Sequence, residues 1–259
     1  MPYMELPDAS LHYRLDGPDA APVLLLSNSL GTDLSLWEPQ MAALTRHLRV
    51  LRYDTRGHGG SSVSPGPYTL DQLGRDAVAL LDSLGIMQAH IAGVSLGGMT
   101  ALWLASHAPE RVLKIAPCFT SAHIGNPEIW NQRIANVAAN GMAAVVEGVL
   151  ERWFTAEYRA AAPDVMARFR HMLLGMPPAG YAAASAAVRD MDLRDALSRI
   201  TAPTLVIAGR GDMATPPAHG EAIAAGINGA RIELVDAAHI GNVEAAVAVT
   251  PLLLEFFTT

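Results

Sequence analysis

The chain has 259 residues, of which 51% are hydrophobic and 17% charged, with a formal net charge of −7 and one cysteine. This length is sufficient for a single α/β domain with a complete core. The absence of a basic cluster argues against nucleic-acid binding, and no apolar run reaches the roughly 20 residues of a membrane-spanning helix. Cys118 has no partner for an intramolecular disulfide, and the first residues show no secretory signal. We therefore expect a cytoplasmic protein.

Strand-like and helix-like segments alternate over the first 120 residues. The strands after the N-terminal hairpin are almost continuously apolar, as strands buried on both faces of a parallel sheet are. In chain order, strands are predicted at residues 3–6, 11–14, 22–27 and 48–54, a helix at 70–84, a strand at 89–93, a helix at 96–107 and a strand at 111–117. This order predicts an α/β fold with a doubly wound, mostly parallel sheet.

The alternation stops between residues 121 and 192. This stretch contains alanine-rich segments of helical length at 128–140, 142–154, 164–174 and 179–187, and no strand-like run. Alternation resumes with strands at 203–209 and from residue 231. We therefore predict that residues 1–120 and 193–259 form the α/β core, and that residues 121–192 are an inserted all-helical lid. The alternative is that the insertion merely extends the core.

A serine between two glycines is the most informative motif of the chain. Ser95 is the central residue of the run 93–97 (GVSLG), with a predicted strand before it and a predicted helix after it. A sharp strand-to-helix turn holds its corner residue in strained geometry and requires small neighbours. Ser95 is therefore a candidate nucleophile, the alternative being a simple glycine turn.

A serine nucleophile needs a base to accept its proton and an acid to orient that base. His239 lies in the loop between the last predicted strand and the last helix, where α/β hydrolases place the base. Asp212 lies in the run 210–212 (RGD) that follows the strand at 203–209. Ser95, Asp212 and His239 therefore occur in the chain order expected for an α/β hydrolase. Asp236 is a competing acid, but it precedes the histidine by only three residues and resembles a turn residue at a strand end.

Stabilisation of a tetrahedral oxyanion requires two backbone N–H groups. We expect one from Leu96, directly after the serine, and the other from Leu30, in the loop after the strand at 22–27. Many related hydrolases carry His-Gly where this chain has Asn28 and Ser29. These two side chains are expected to support the loop by hydrogen bonds, and Asn28 is also a candidate substrate contact.

Five segments carry a resemblance to a known family: residues 27–37 (SNSLGTDLSLW), 54–62 (DTRGHGGSS), 93–99 (GVSLGGM), 130–133 (WNQR) and 236–244 (DAAHIGNVE). Together they closely resemble the 3-oxoadipate enol-lactonases, which are α/β hydrolases of the bacterial β-ketoadipate pathway of aromatic catabolism. The resemblance extends from Leu26 to Glu244. Gly60 and Gly241 depart from the family pattern, where aspartate or lysine and serine, respectively, are common.

The resemblance implies hydrolysis of a small enol-lactone that bears a carboxylate, giving 3-oxoadipate. No metal or other cofactor is expected. Arg133 lies three residues after Trp130 on a predicted helix, so the two side chains share a face. Both are candidate substrate contacts, because a guanidinium can bind a carboxylate through two parallel hydrogen bonds. The alternative is that Arg133 is a solvated surface charge.

Other functions share much of this pattern. A general carboxylesterase, a thioesterase or a carbon–carbon bond hydrolase acting on a ring-cleavage product would use the same three residues. A non-catalytic ligand receptor built on a hydrolase scaffold is a further alternative. Haloalkane dehalogenases and epoxide hydrolases are disfavoured, because they carry aspartate at the position of Ser95.

Overall fold

In a computed structural model of the protein, residues 2–259 are described, and eight strands within that range form one sheet in the order β1-β2-β4-β3-β5-β6-β7-β8. The strands are β1 (Tyr3–Glu5), β2 (Ser10–Asp16), β3 (Val23–Ser27), β4 (Arg49–Tyr53), β5 (Ala89–Val94), β6 (Val112–Cys118), β7 (Leu205–Gly209) and β8 (Arg231–Val235). The α-helices are α1 (Glu38–Leu44), α2 (Leu70–Ser83), α3 (Leu96–His107), α4 (Pro127–Asn140), α5 (Val146–Trp153), α6 (Ala156–Ala161), α7 (Pro163–Leu174), α8 (Pro178–Asp190), α9 (Pro217–Gly226), α10 (Gly241–Glu244) and α11 (Ala246–Thr258). None of the helices within residues 2–259 is long and apolar enough to cross a bilayer.

The sheet is antiparallel at one edge and parallel elsewhere. β2 pairs antiparallel with both β1 and β4, whereas every pairing from β4 through β3, β5, β6 and β7 to β8 is parallel. All residues of β5 and β7 are buried, which explains why the sequences of these strands are almost entirely apolar. The predicted doubly wound, mostly parallel sheet is confirmed.

The strand order positions a crevice at the carboxyl ends of β3 and β5. The chain passes from β3 outward to β4, then returns across β3 to β5 and continues toward β8. The winding direction therefore reverses between β3 and β5, and doubly wound sheets bind ligands at such a reversal. Ser27, at the end of β3, lies opposite Gly93 of β5, so the two loops that follow these strands start side by side.

Five helices, α4 to α8, occupy the segment between β6 and β7. The helix predicted over residues 142–154 is divided into a short 3₁₀ turn at Met142–Ala144 and the helix α5. Helix α6 was not predicted. Similarly, the last helical region consists of two helices, α10 and α11.

Candidate active site

Ser95 occupies the corner between β5 and α3 in a strained backbone conformation. Its φ of 56° and ψ of −115° lie in a region that L-residues rarely adopt, at a cost of about 1–3 kcal/mol. The corner is held on both sides: the N–H of Ser95 donates to the carbonyl oxygen of Cys118 (3.0 Å), and the hydroxyl of Thr120 donates to the carbonyl oxygen of Ser95 (2.6 Å). Ser95 also lines a cavity, and backbone strain that specific contacts maintain is typical of a functional corner.

The two glycines around Ser95 are required by close backbone contacts. A Cβ on Gly93 would lie 2.1 Å from the carbonyl group of Gly97, and a Cβ on Gly97 would lie 2.2 Å from the carbonyl oxygen of Ser27. Both contacts are with backbone atoms, which cannot move aside without displacing α3 or the end of β3. The Gly-x-Ser-x-Gly pattern therefore permits β3, β5 and α3 to pack at the corner.

Asp212 and His239 form a buried hydrogen-bonded pair at the ends of β7 and β8. The Nδ1 of His239 donates to Oδ2 of Asp212 (2.8 Å), and both side chains are at least 95% buried. Thr215 orients the carboxylate, because its hydroxyl donates to Oδ2 (2.8 Å) and its N–H donates to Oδ1 (2.9 Å). The N–H of Ala214 is a further donor to Oδ1 (2.8 Å). This arrangement fixes the ring orientation of His239.

Electrostatics keep the Asp212 carboxyl ionised. Burial alone would raise its pKa, but the charge of His239 and the hydrogen bonds from His239 and Thr215 outweigh burial and lower it. Asp236, by contrast, has a side chain that is 91% exposed and lies 3.1 Å from the Arg210 guanidinium. The structure therefore brings Asp212, and not Asp236, to His239.

Ser95 and His239 line the same cavity, whose volume is about 330 Å³. Within residues 2–259 the Oγ of Ser95 makes no hydrogen bond to His239. Such bonds are often long in a free enzyme and shorten when substrate binds. The cavity thus contains a strained serine together with a histidine that is oriented by a buried carboxylate.

The loop after β3 forms the wall of the cavity beside Ser95. Leu30 lines the cavity, and its N–H has no acceptor among the described residues. Leu96 is buried at the first position of α3, where helical N–H groups lack intrahelical acceptors. Neither of these two N–H groups has an acceptor among the described residues, so both remain candidate donors to an oxyanion.

The structure corrects two expectations for the same loop. Asn28 does not line the cavity, since its side chain is fully buried and its amide donates to the carbonyl oxygen of Tyr53 (2.7 Å). It supports the loop from behind, as expected, but is not placed to contact substrate. Ser29 lines the cavity instead, and its hydroxyl has no hydrogen-bond partner in the described chain, so it does not support the loop.

Trp130 and Arg133, both on α4, line the opposite wall of the cavity. The Arg133 guanidinium carbon lies 4.5 Å from the centre of the Trp130 ring, and the Trp130 side chain is buried. Stacking on the indole holds the flat face of the guanidinium and leaves its in-plane N–H groups available. The predicted pairing of these residues on one helical face is observed.

Three further residues at the site were not predicted: Thr215, Arg152 and Tyr181. The sequence does contain a local signal for Thr215, because an aspartate carboxylate commonly accepts hydrogen bonds from residues two or three positions later in the chain. Arg152 and Tyr181 come from α5 and α8 and line the cavity only after the helices pack together. Their sequence neighbourhood indicates an amphipathic helix and no more. Within residues 2–259, no group of three or more His, Cys, Asp or Glu side chains is placed to hold a metal ion.

The fold and the arrangement of Ser95, Asp212 and His239 are those of a hydrolase family. Residues 22–246 match the model of the alpha/beta hydrolase fold family, and the sheet order, the strained serine and the buried His–Asp pair agree with that match. The chain therefore belongs to the α/β-hydrolase fold family and, within it, to the family of the 3-oxoadipate enol-lactonases, as its relatives show.

One curated relative is 3-oxoadipate enol-lactonase 2 of Acinetobacter baylyi, which is 41% identical over 237 residues, covering 92% of this chain and 89% of that protein. Among solved structures, the enol-lactonase of Burkholderia xenovorans LB400 superposes with a TM-score of 0.98 at 45% identity, with both chains fully covered. A hydrolase from Pseudomonas aeruginosa PA01 superposes with a TM-score of 0.97 at 49% identity, covering 100% of this chain and 98% of that one.

Proposed function

We propose that the protein is a serine hydrolase that opens the lactone ring of 3-oxoadipate enol-lactone to give 3-oxoadipate. The main support is the hydrogen bond between His239 and Asp212. The strained Ser95 lines the same cavity as His239. The identity to the Acinetobacter baylyi enol-lactonase supports this substrate. A general esterase would share the three residues but would have no use for a cation in the cavity wall.

The first half of the reaction is ring opening. His239 accepts the proton of Ser95 as Oγ attacks the lactone carbonyl carbon, and the N–H groups of Leu30 and Leu96 stabilise the oxyanion. The bond between the carbonyl carbon and the ring oxygen then breaks. His239 returns the proton to that oxygen, so the leaving group departs as an enol, still attached through the carbon chain to the acyl group on Ser95.

The second half is hydrolysis of the ester on Ser95. His239 takes a proton from a water molecule, which attacks the acyl carbon, and the proton passes to Oγ as the acyl bond breaks. The released enol tautomerises to the ketone, which makes reversal unfavourable. Asp212 stays ionised throughout and stabilises the imidazolium of His239.

Recognition of the substrate carboxylate is assigned to Arg133. Its guanidinium lines the cavity and stacks on Trp130, 4.5 Å from the ring centre. We also propose that residues 121–192 form the lid, because α4, α5 and α8 of this segment supply Trp130, Arg133, Arg152 and Tyr181 to the cavity. A cytoplasmic location is proposed from the single thiol, Cys118, which is free and fully buried.

A hydrolysis assay on the enol-lactone, run beside neutral esters of matched size, tests the proposal. We expect kcat/KM for the lactone to exceed that for the esters by at least tenfold. Comparable values for all substrates would favour a general esterase. No turnover of any of them would favour a ligand receptor.

A further inference from the structure

Two arginines from different helices share the cavity that contains Ser95. Arg133 comes from α4 and Arg152 from the last turn of α5, and both side chains are half-buried. No aspartate or glutamate lines this cavity. Within residues 2–259 neither arginine forms an ion pair, whereas other arginines of the chain do, such as Arg56 with Asp76 (2.8 Å).

The two charges act on each other and on Tyr181. Burial lowers the pKa of Arg152, and the nearby positive charge of Arg133 lowers it further. Burial raises the pKa of the Tyr181 hydroxyl. The positive charges of Arg133 and Arg152 and a hydrogen bond from Arg133 oppose that rise. The three polar groups therefore converge on one region of the cavity.

Like charges in a half-buried site repel more strongly than in water, because the effective dielectric constant is lower. Proteins usually place a carboxylate between such charges, and this cavity provides none from its own chain. A bound anion would replace the repulsion with two attractions. The remaining wall near the arginines is apolar, with Val149, Trp153 and Val188, and suits a small ring.

We propose that Arg133, Arg152 and Tyr181 form a subsite for one carboxylate, in which Arg152 determines specificity for anionic substrates together with Arg133. The carboxylate would receive guanidinium N–H bonds from both α4 and α5 and a hydroxyl bond from α8. This inference rests on the proposed function for its substrate, but the subsite itself binds any small carboxylate that fits the cavity.

The first test measures binding without turnover. Propionate is added at low ionic strength, with sodium chloride and neutral propionamide as comparisons, and thermal unfolding is followed. Wild-type protein should gain about 2–4 °C in Tm when propionate exceeds its Kd about fivefold, and should gain less with the other two. Arg152→Met should lose this gain. An unchanged gain in Arg152→Met, or no gain in wild type, would overturn the proposal.

The second test measures selectivity. Arg152→Met should lower kcat/KM for the anionic lactone by about tenfold or more, with less than a twofold change for a neutral ester. Arg168→Met is the control, because Arg168 is an exposed arginine on α7, another helix of the same segment, and does not line the cavity. Equal losses on both substrates in Arg152→Met would refute the subsite.

If Arg152→Met does not fold, Arg152→Gln is measured instead, and the same losses are expected. If the lactone is not hydrolysed at all, the proposed function fails, whereas the Tm gain with propionate and its loss in the Arg152 variant would still support the subsite.

Discussion

Turnover is expected to depend on three side chains that act as a unit: Ser95, His239 and Asp212. Ser95→Ala should fold normally and lose nearly all turnover, because no neighbouring group can replace the hydroxyl. His239→Ala should lose almost as much, and the double variant should be little worse than either single variant. Steady-state rates on the lactone, with circular dichroism to verify folding, measure this. Additive losses in the double variant would contradict the assignment.

The choice of acid is tested by a pair of conservative changes. Asp212→Asn should reduce kcat by orders of magnitude, because the imidazole of His239 would adopt the wrong tautomer. Asp236→Asn is the control, since that side chain is 91% exposed, and it should be within twofold of wild type. Rates and urea unfolding are compared for both variants. The reverse pattern would mean that Asp236 is the functional acid.

Among the secondary-structure elements, the strand positions along the chain and the residues that follow the strands could be predicted, since apolar strand patterns and the Gly-x-Ser-x-Gly spacing are local signals. The division of residues 142–154 could not, because the buried Met142, Val146 and Leu150 follow one helical period through the 3₁₀ turn. Helix α6 has six residues, too few for an amphipathic pattern. Arg152 reaches the site through helix packing, which no local spacing encodes.

Glu244 connects two elements around the proposed base. One carboxylate oxygen accepts hydrogen bonds from the N–H and hydroxyl of Thr155, before α6, and the other accepts from the N–H of Ala238 (2.9 Å), next to His239. Glu244 is therefore a positioning residue for the histidine loop. In Glu244→Gln, an amide NH₂ would face one of these donors and displace the loop.

We expect Glu244→Gln to lower kcat on the lactone by about tenfold, with a loss of about 1–3 kcal/mol in the free energy of unfolding. Glu157→Gln, an exposed glutamate on α6, is the control. A variant that is less stable but retains the wild-type kcat would show that Glu244 is merely structural.

At the scale of the whole molecule, a buried histidine outside the site links stability to pH. His58 is fully buried, its Nδ1 lies 3.2 Å from the carbonyl oxygen of Arg56, and its Nε2 has no partner in the described chain. Burial lowers the pKa of His58 to about 4. Between its ordinary value of 6.5 and about 4, only the unfolded chain binds a proton at this position.

The free energy of unfolding should therefore decrease as the pH falls from 6.5 to 4, and His58 accounts for about 3 kcal/mol of that decrease. His58→Gln should flatten this slope in urea unfolding at pH 7, 6, 5 and 4. His47→Gln, an exposed histidine, should retain it. A wild-type slope in His58→Gln would show that other groups dominate the acid sensitivity.

Titration with a serine-reactive phosphonate tests whether Ser95 is the nucleophile in lactone hydrolysis. Lactone turnover and the mass of the intact chain are followed together, and the modified residue is located by peptide mapping. We expect one phosphonyl group per chain, on Ser95, with activity falling in proportion to modification. Turnover that persists when Ser95 is fully modified, or loss of activity through modification of another residue, would contradict it.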